Sequence, residues 1–233
     1  TASAGTSNFR AGVNAGNSIV SGGNHNTVVG DEAGTALTTG DANVAMGFQA
    51  LATEDANGTN TAIGYQSLKT LNAGADGNNT AVGYIAGVFL TTGVNNTLIG
   101  SLAGDALTEG GNNTALGFQA LSADTLGSRN TAIGYNTLLV QNFTSATNSY
   151  NVAMGHDAGR AITTGVSNTL IGAAAGDALT DADYNVAIGK EALTSDTLGS
   201  RSIAIGQHAL QVQNFTSATN TYNVAVGYDA GVS

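Results

Sequence analysis

The side chains able to act as acids, bases, nucleophiles or metal ligands are few and scattered. His25, His156 and His208 are the three imidazoles. They fall in different repeats and at different offsets within them, so no shared surface gathers them for metal binding or proton transfer. Ser, His and Asp are all present, yet no Gly-x-Ser-x-Gly elbow presents a serine for nucleophilic attack. No Gly-x-x-x-x-Gly-Lys-Ser/Thr loop is there to cradle phosphate. Aspartates recur at turns, as Asp105 and Asp177 in Gly-Asp-Ala-Leu-Thr and as Asp124 and Asp196 in Asp-Thr-Leu-Gly. A calcium-binding solenoid needs Gly-Gly-x-Gly-x-Asp strings, which are absent, so these aspartates are expected to cap their own turns. Without cysteine there is neither disulfide nor thiolate metal site. Neither enzymatic activity, cofactor nor metal is expected.

Aromatic residues offer recognition rather than catalysis. Phe48, Tyr65, Tyr84, Phe118, Tyr135 and Tyr228 each follow the glycine of a repeated box. Facing outward, they would form a broken ridge suited to a glycan or a protein receptor; alternatively they cover an edge of the fold or a seam between chains. Phe143 and Phe215 lie in two copies of one insertion and are comparable receptor-contact candidates, because loops on a rigid scaffold often carry recognition. No nucleic-acid partner is expected for a chain of net charge −10 whose six basic residues stand singly. No apolar run is long enough to insert in a membrane.

Those residues are positioned by a repeat. A box with the consensus Asn-Thr/Val-Ala-Ile/Val-Gly begins at Asn26, Asn43, Asn60, Asn79, Asn96, Asn113, Asn130, Asn151, Asn168, Asn185, Ser202 and Asn223. Most boxes are 17 residues apart, with steps of 19 and 21 where residues are inserted. A longer period of 72 residues relates Asn79, Asn151 and Asn223, and within it DTLGSR recurs at 124–129 and 196–201. QNFTSATN recurs at 141–148 and 213–220, and each copy is expected to protrude as a loop. Thr1 is not an initiator residue, so the chain is expected to be a piece of a longer protein. One continuous repeat domain is expected over 1–233. In it, 1–25 forms a degenerate first coil (around Asn17-Ser-Ile-Val) or an extension, and 26–233 forms the coils.

Seventeen residues fit one flattened coil of two short strands and two tight turns. Glycine and β-branched residues are too frequent for helices, and no 3.6-residue period is present. The expected fold is therefore an all-β parallel β-solenoid, a β-roll of about twelve coils that would span about 60 Å at the usual strand spacing. Alternate box residues face opposite sides of their strand. The fourth position is always a sizeable apolar residue, from Val29 to Val226, and is expected to face the core. The third position, on the other face, is Ala in nine boxes and never polar. A strand apolar on both faces is buried on both, so Ala62, Ala81, Ala115, Ala132, Ala153 and Ala187 are expected to form an oligomer interface. Box glycines such as Gly64, Gly100, Gly134 and Gly189 answer a positive φ or a close backbone approach. Box asparagines such as Asn60, Asn96, Asn130 and Asn185 can form ladders that satisfy turn backbone. Leu51, Leu68, Leu121, Leu138, Leu193 and Leu210 are expected on the opposite wall. Where glycine replaces that leucine, Leu37, Leu90, Leu107, Ile162 or Leu179, three residues on, can substitute.

The boxes resemble the head repeats of trimeric autotransporter adhesins, the YadA-like heads, most closely at Asn151-Val-Ala-Met-Gly, Asn185-Val-Ala-Ile-Gly and Asn223-Val-Ala-Val-Gly. They are also similar to repeat segments of phage tail fibres, as in Asn60-Thr-Ala-Ile-Gly-Tyr. The coils are longer than the common head repeat, and Thr holds the second position in seven boxes. The resemblance covers roughly 17–233. It implies a left-handed β-roll assembled as a homotrimer, extracellular at a bacterial cell surface or on a virion tail fibre. The function it implies is a rigid scaffold and attachment surface for a host-surface protein or glycan. An ice-binding solenoid is a further alternative, because regular Thr on a flat face suits ice. Here Thr alternates with Val44, Val152, Val186, Ile203 and Val224.

Overall fold

The structure, a computed structural model, describes residues 5–232. The described residues are all-β, with seventeen short strands and no helix. They divide into two compact units, one ending at Asn113 and the other beginning at Thr114. The sequence expectation has one continuous domain, and the repeat spacing does not change at this boundary.

In the first unit six strands stack in parallel: β1 (Phe9–Ala11), β2 (Thr27–Val29), β3 (Val44–Met46), β4 (Thr61–Ile63), β5 (Thr80–Val82) and β6 (Thr97–Ile99). Register is strict, box residue on box residue, as in Thr61↔Thr80, Ala62↔Ala81 and Ile63↔Val82. The first coil opens at Asn8 rather than near Asn17. Phe9 N–H donates to Asn26 O at 2.8 Å, and Asn8 Oδ1 accepts from Asn26 N at 2.8 Å. Phe9 and Arg10 replace the small residues of the consensus, which hides this box in the sequence.

The second unit stacks β7 (Thr114–Leu116), β9 (Thr131–Ile133), β11 (Val152–Met154), β12 (Thr169–Ile171), β13 (Val186–Ile188), β15 (Ile203–Ile205) and β17 (Val224–Val226), again in parallel. Two small parallel pairs sit beside them, β8 (Gly127–Ser128) with β10 (Thr147–Asn148) and β14 (Gly199–Ser200) with β16 (Thr219–Asn220). Each unit is thus a parallel β-solenoid.

Asparagine ties coil to coil. Its Oδ1 accepts from the backbone N–H of the next box residue, Asn43 to Asn26 at 2.8 Å, Asn60 to Asn43 at 3.0 Å and Asn96 to Asn79 at 2.9 Å. Its Nδ2 donates to a turn carbonyl fourteen residues on, Gly110 for Asn96 at 3.0 Å and Gly199 for Asn185 at 2.9 Å. These amides are fully buried, so each bond prevents an orphaned backbone group.

The two faces of the box strand are the reverse of those expected. The third-position residues Ala62, Ala81, Ala115, Ala132, Ala153 and Ala187 are 0% exposed and point inward. The fourth position faces outward, with Met46 42%, Leu116 42% and Met154 40% exposed. The cause is core volume. The interior is one coil wide and is already filled by leucines from the opposite wall, with Leu51, Leu68, Leu121 and Leu138 all fully buried. An isoleucine opposite them would overpack it. The exceptions support this account. Leu98 and Leu170 occupy the third position beside glycines, and a Cβ on Gly87 or Gly104 would meet Leu98 at 2.7 or 2.8 Å. A Cβ on Gly159 or Gly176 would meet Leu170 at 2.7 or 2.8 Å. In those coils Leu90, Leu107, Ile162 and Leu179 are fully buried, as expected for the substitutes.

The wall leucines carry strain, since Leu51, Leu68 and Leu138 have φ of 52°, 48° and 50°. That conformation costs about 1–2 kcal/mol, and burying the side chain returns about 2–3 kcal/mol, so leucine is retained. The box glycines have less freedom. Gly64 has φ +134°, and a Cβ there would meet Gly83 O at 2.2 Å; Gly74 has φ +69° with nothing within 4 Å. Gly64→Ala is expected to destabilise the protein by at least about 3 kcal/mol and Gly74→Ala by about 1 kcal/mol. Chemical denaturation of the two variants checks this, and equal losses would contradict the stacking account.

Candidate functional site

The surface with the most distinctive chemistry is the outward face of the box strands. In the second unit the box's second position supplies Thr131, Val152, Thr169, Val186, Ile203 and Val224, and its fourth supplies Ile133, Met154, Ile171, Ile188, Ile205 and Val226. These residues are half-buried or exposed and alternate with buried first and third positions, except at the last box, where Asn223 is exposed. The first unit shows the same pattern from Thr27 and Val29 to Thr97 and Ile99. A parallel sheet is ordinarily covered on both faces, and each unit leaves a β-branched face open.

Two columns of larger side chains flank that face. On the C-terminal side lie the expected aromatics. Phe48, Tyr65 and Tyr84 stack with centroids 5.4 Å apart at each step, and Phe118 stacks on Tyr135 at 5.5 Å. His156 continues that second stack at 5.0 Å, while His208 and Tyr228 meet at 5.9 Å with planes tilted by 49°. Interior rings of a stack cover one another's faces and show solvent their edges. A sugar that stacks on a ring face therefore has access only at the ends of a stack.

The N-terminal column is one that sequence reasoning missed. The residue before the box is Arg129, Tyr150, Ser167, Tyr184, Arg201 and Tyr222 in successive coils of the second unit. Both arginines and all three tyrosines are exposed, Tyr222 to 68%. The backbone there is left-handed, with φ of 65° at Arg129, 51° at Tyr150 and 67° at Arg201. Arg201 Cζ lies 4.6 Å from the Tyr184 ring centroid, and Arg129 Cζ lies 5.8 Å from that of Tyr150. The signal was available, since Tyr or Arg precedes five of the last six boxes, but these residues lie just outside the motif.

The duplicated insertions are less loop-like than expected. Phe143 is only 6% exposed and Phe215 is half-buried, so neither stands out as a contact. Each insertion folds back onto a buried aspartate. Asp124 Oδ1 accepts from the N–H groups of Gly127 at 3.0 Å and Phe143 at 3.4 Å, and its Oδ2 accepts from Gln141 Nε2 at 2.6 Å. Gln141 Oε1 in turn accepts from Asn151 Nδ2 at 2.8 Å. Asp196 repeats the arrangement with Gly199 at 3.1 Å, Phe215 at 2.9 Å and Gln213 at 2.6 Å. Asp124 therefore caps its turn, as expected, and also clamps the inserted segment. Thr144, Ser145 and Ala146 remain exposed beyond it.

Burial raises the Asp124 carboxyl above its ordinary range, with the bonds from Gln141, Gly127 and Phe143 opposing the rise. Burial likewise raises Glu54 in the first unit, against the bond from Asn57. Glu191 is lowered, first by its hydrogen bond from Lys190. The imidazoles do not converge: His156 contacts Asp157 at 3.1 Å, while His208 lies between Glu191 at 3.5 Å and Asp229 at 2.9 Å. Among the described residues no group of three His, Cys, Asp or Glu could hold a metal ion, and no helix is long and apolar enough to cross a membrane. No family model, curated protein or solved structure matches the chain.

A raised carboxyl binds a proton more tightly folded than unfolded, so its contribution to stability is fully present below the ordinary carboxylate pKa and is lost as pH rises through the folded value. The stability of the natural protein relative to Asp124→Asn should therefore increase as pH falls from about 7 to about 4. Urea denaturation of both across that window checks the sign, and a constant or falling difference would refute it.

Proposed function

We propose that the chain is a passive structural and adhesive segment of an extracellular fibre, a left-handed β-roll assembled as a homotrimer through the outward faces of its box strands. The carrying observation is the exposed apolar face, two columns of β-branched and long aliphatic residues flanked by aromatics on a chain that keeps its small alanines inside. An apolar centre with a rim of Tyr and Arg is the usual anatomy of a protein interface. The resemblance of the boxes to YadA-like adhesin heads supports the same assembly at a bacterial surface; a phage tail-fibre shaft or receptor-binding segment is the alternative within the class. Stiffness would come from coil stacking, and attachment to a host protein or glycan would gain avidity from features repeated along the fibre. The assembly face is the opposite of the one expected for the alanines.

The threonines share that outward face, which is what favours ice binding as a second reading. Thermal hysteresis in solution would support it, and none would dismiss it. For the leading function, light scattering of the natural chain is expected to give three times the 23.0 kDa chain mass. Ile133→Glu with Ile171→Glu, placing charges on the outward face, is expected to reduce it to a single chain mass with unchanged far-UV circular dichroism. A natural chain that is monomeric would overturn the assembly.

A further inference from the structure

We propose that the chain modifies itself at the Asn57-Gly58 pair, where Glu54 and Asp76 assist closure of the Asn57 side chain onto the Gly58 nitrogen, giving a succinimide with loss of ammonia. The inference does not depend on the assembly proposed above.

Asn57 and Gly58 form the one Asn-Gly pair in the chain. With no Cβ on Gly58, nothing at that residue shields its nitrogen from the preceding side chain. Three hydrogen bonds around the pair have the sense that closure needs. The Gly58 N–H donates to Asp76 Oδ1 at 3.1 Å, which sets a base against the proton of the attacking nitrogen. The Asn57 carbonyl belongs to the same peptide group and accepts from Asn43 Nδ2 at 3.0 Å. That bond stabilises the negative charge that spreads to the oxygen as the N–H proton departs. Asn57 Nδ2 donates to Glu54 Oε1 at 2.9 Å, so the leaving nitrogen faces a carboxyl group. Glu54 is buried, and burial raises its carboxyl above the ordinary range, against the bonds from Asn57 and Ala73. A carboxyl raised in this way keeps its proton to higher pH and can deliver it as an acid.

The arrangement is particular to this coil. Other box asparagines donate to a glycine or alanine carbonyl fourteen residues on, as Asn26 does to Gly40 and Asn168 to Ala182. Here the accepting residue carries an amide of its own. The other charged groups on the adjoining coils are Asp41, Asp55 and Lys69. Asp41 accepts from Asn24 N and Asp55 from Ala56 N, and Lys69 forms no ion pair among the described residues.

In the reaction Gly58 N attacks Asn57 Cγ as its proton passes to Asp76. The tetrahedral carbon then expels Nδ2, which leaves as ammonia with a proton from Glu54. One bond forms, Gly58 N to Asn57 Cγ, and one breaks, Asn57 Cγ to Nδ2, with no change of oxidation state. Water opens the ring at either carbonyl and leaves aspartate or isoaspartate at position 57. The event occurs once per chain, unlike turnover of an external substrate. A Cβ on Gly40 would meet Asn57 O at 2.2 Å, so the main chain is closely stacked here, and the extra main-chain carbon of isoaspartate is expected to loosen the coil.

Mass spectrometry of the peptide containing Asn57 follows the reaction as loss of ammonia and then gain of water; in heavy-oxygen water the product carries the label. At pH about 5 the folded natural chain is expected to convert at least about tenfold faster than the same chain unfolded in urea. Its rate should be bell-shaped in pH, because the acid and the base must be in opposite protonation states, whereas the unfolded chain should react faster as pH rises above about 5. Glu54→Gln and Asp76→Asn should each slow the folded chain at least about tenfold and remove one limb of the bell, with far-UV circular dichroism checking that each variant folds. A folded natural chain that converts no faster than the unfolded one overturns the proposal, whether or not the variants fold. Unchanged rates in the two folded variants would overturn it as well.

Discussion

Backbone N–H and C=O groups taken out of water must find partners inside the protein, and here each box finds them in the box one coil away. The stack is held together by that parallel ladder and by buried asparagine amides, each bonded to the backbone on both sides. Everything else is subordinate to keeping successive coils in register. Box glycines are needed because one glycine sits directly over the next, leaving no space for a Cβ. Wall leucines accept left-handed backbone because the same turn must recur at every level.

Stacking of this kind makes a narrow core, and narrowness decides the composition. A leucine enters the interior from the box strand only where the facing turns carry glycine in place of their wall leucine. Ala62 faces the coil that carries Leu68, whereas Leu98 lies over Gly87 and Gly104. This exchange conserves volume across the core rather than along the chain, so it is invisible in any one box. It also explains why the larger aliphatics, which have no room inside, are displayed on the outer face.

The displayed face of the second unit gathers the candidate features: β-branched and aliphatic residues in the middle, tyrosines and arginines at the N-terminal edge, and stacked aromatics with mixed charges at the other. The stacked rings are better suited to lining a seam than to offering free faces to sugars, because each interior ring is covered by its neighbours. The buried carboxylates belong to the architecture, with Asp124 and Asp196 clamping the inserted segments that orient the two arginines.

The repeat, its period, the parallel strands, the duplicated block and the need for glycine and asparagine were legible in the sequence, because each is a local demand made identically at every coil. The orientation of the box strand was not. Its third and fourth positions are both apolar, so period-two alternation establishes that they face opposite ways without saying which way is in. Only the volume left by the opposite wall settles that, and it turned the alanines inward and Met46, Leu116 and Met154 outward. The Arg–Tyr column was missed for a related reason: side-chain direction at a left-handed residue just before the box is set by how the turn packs on the coil. The sequence by itself determined that this chain stacks; which surface it then leaves exposed was decided by three-dimensional packing, since a face is defined by what fills the space behind it.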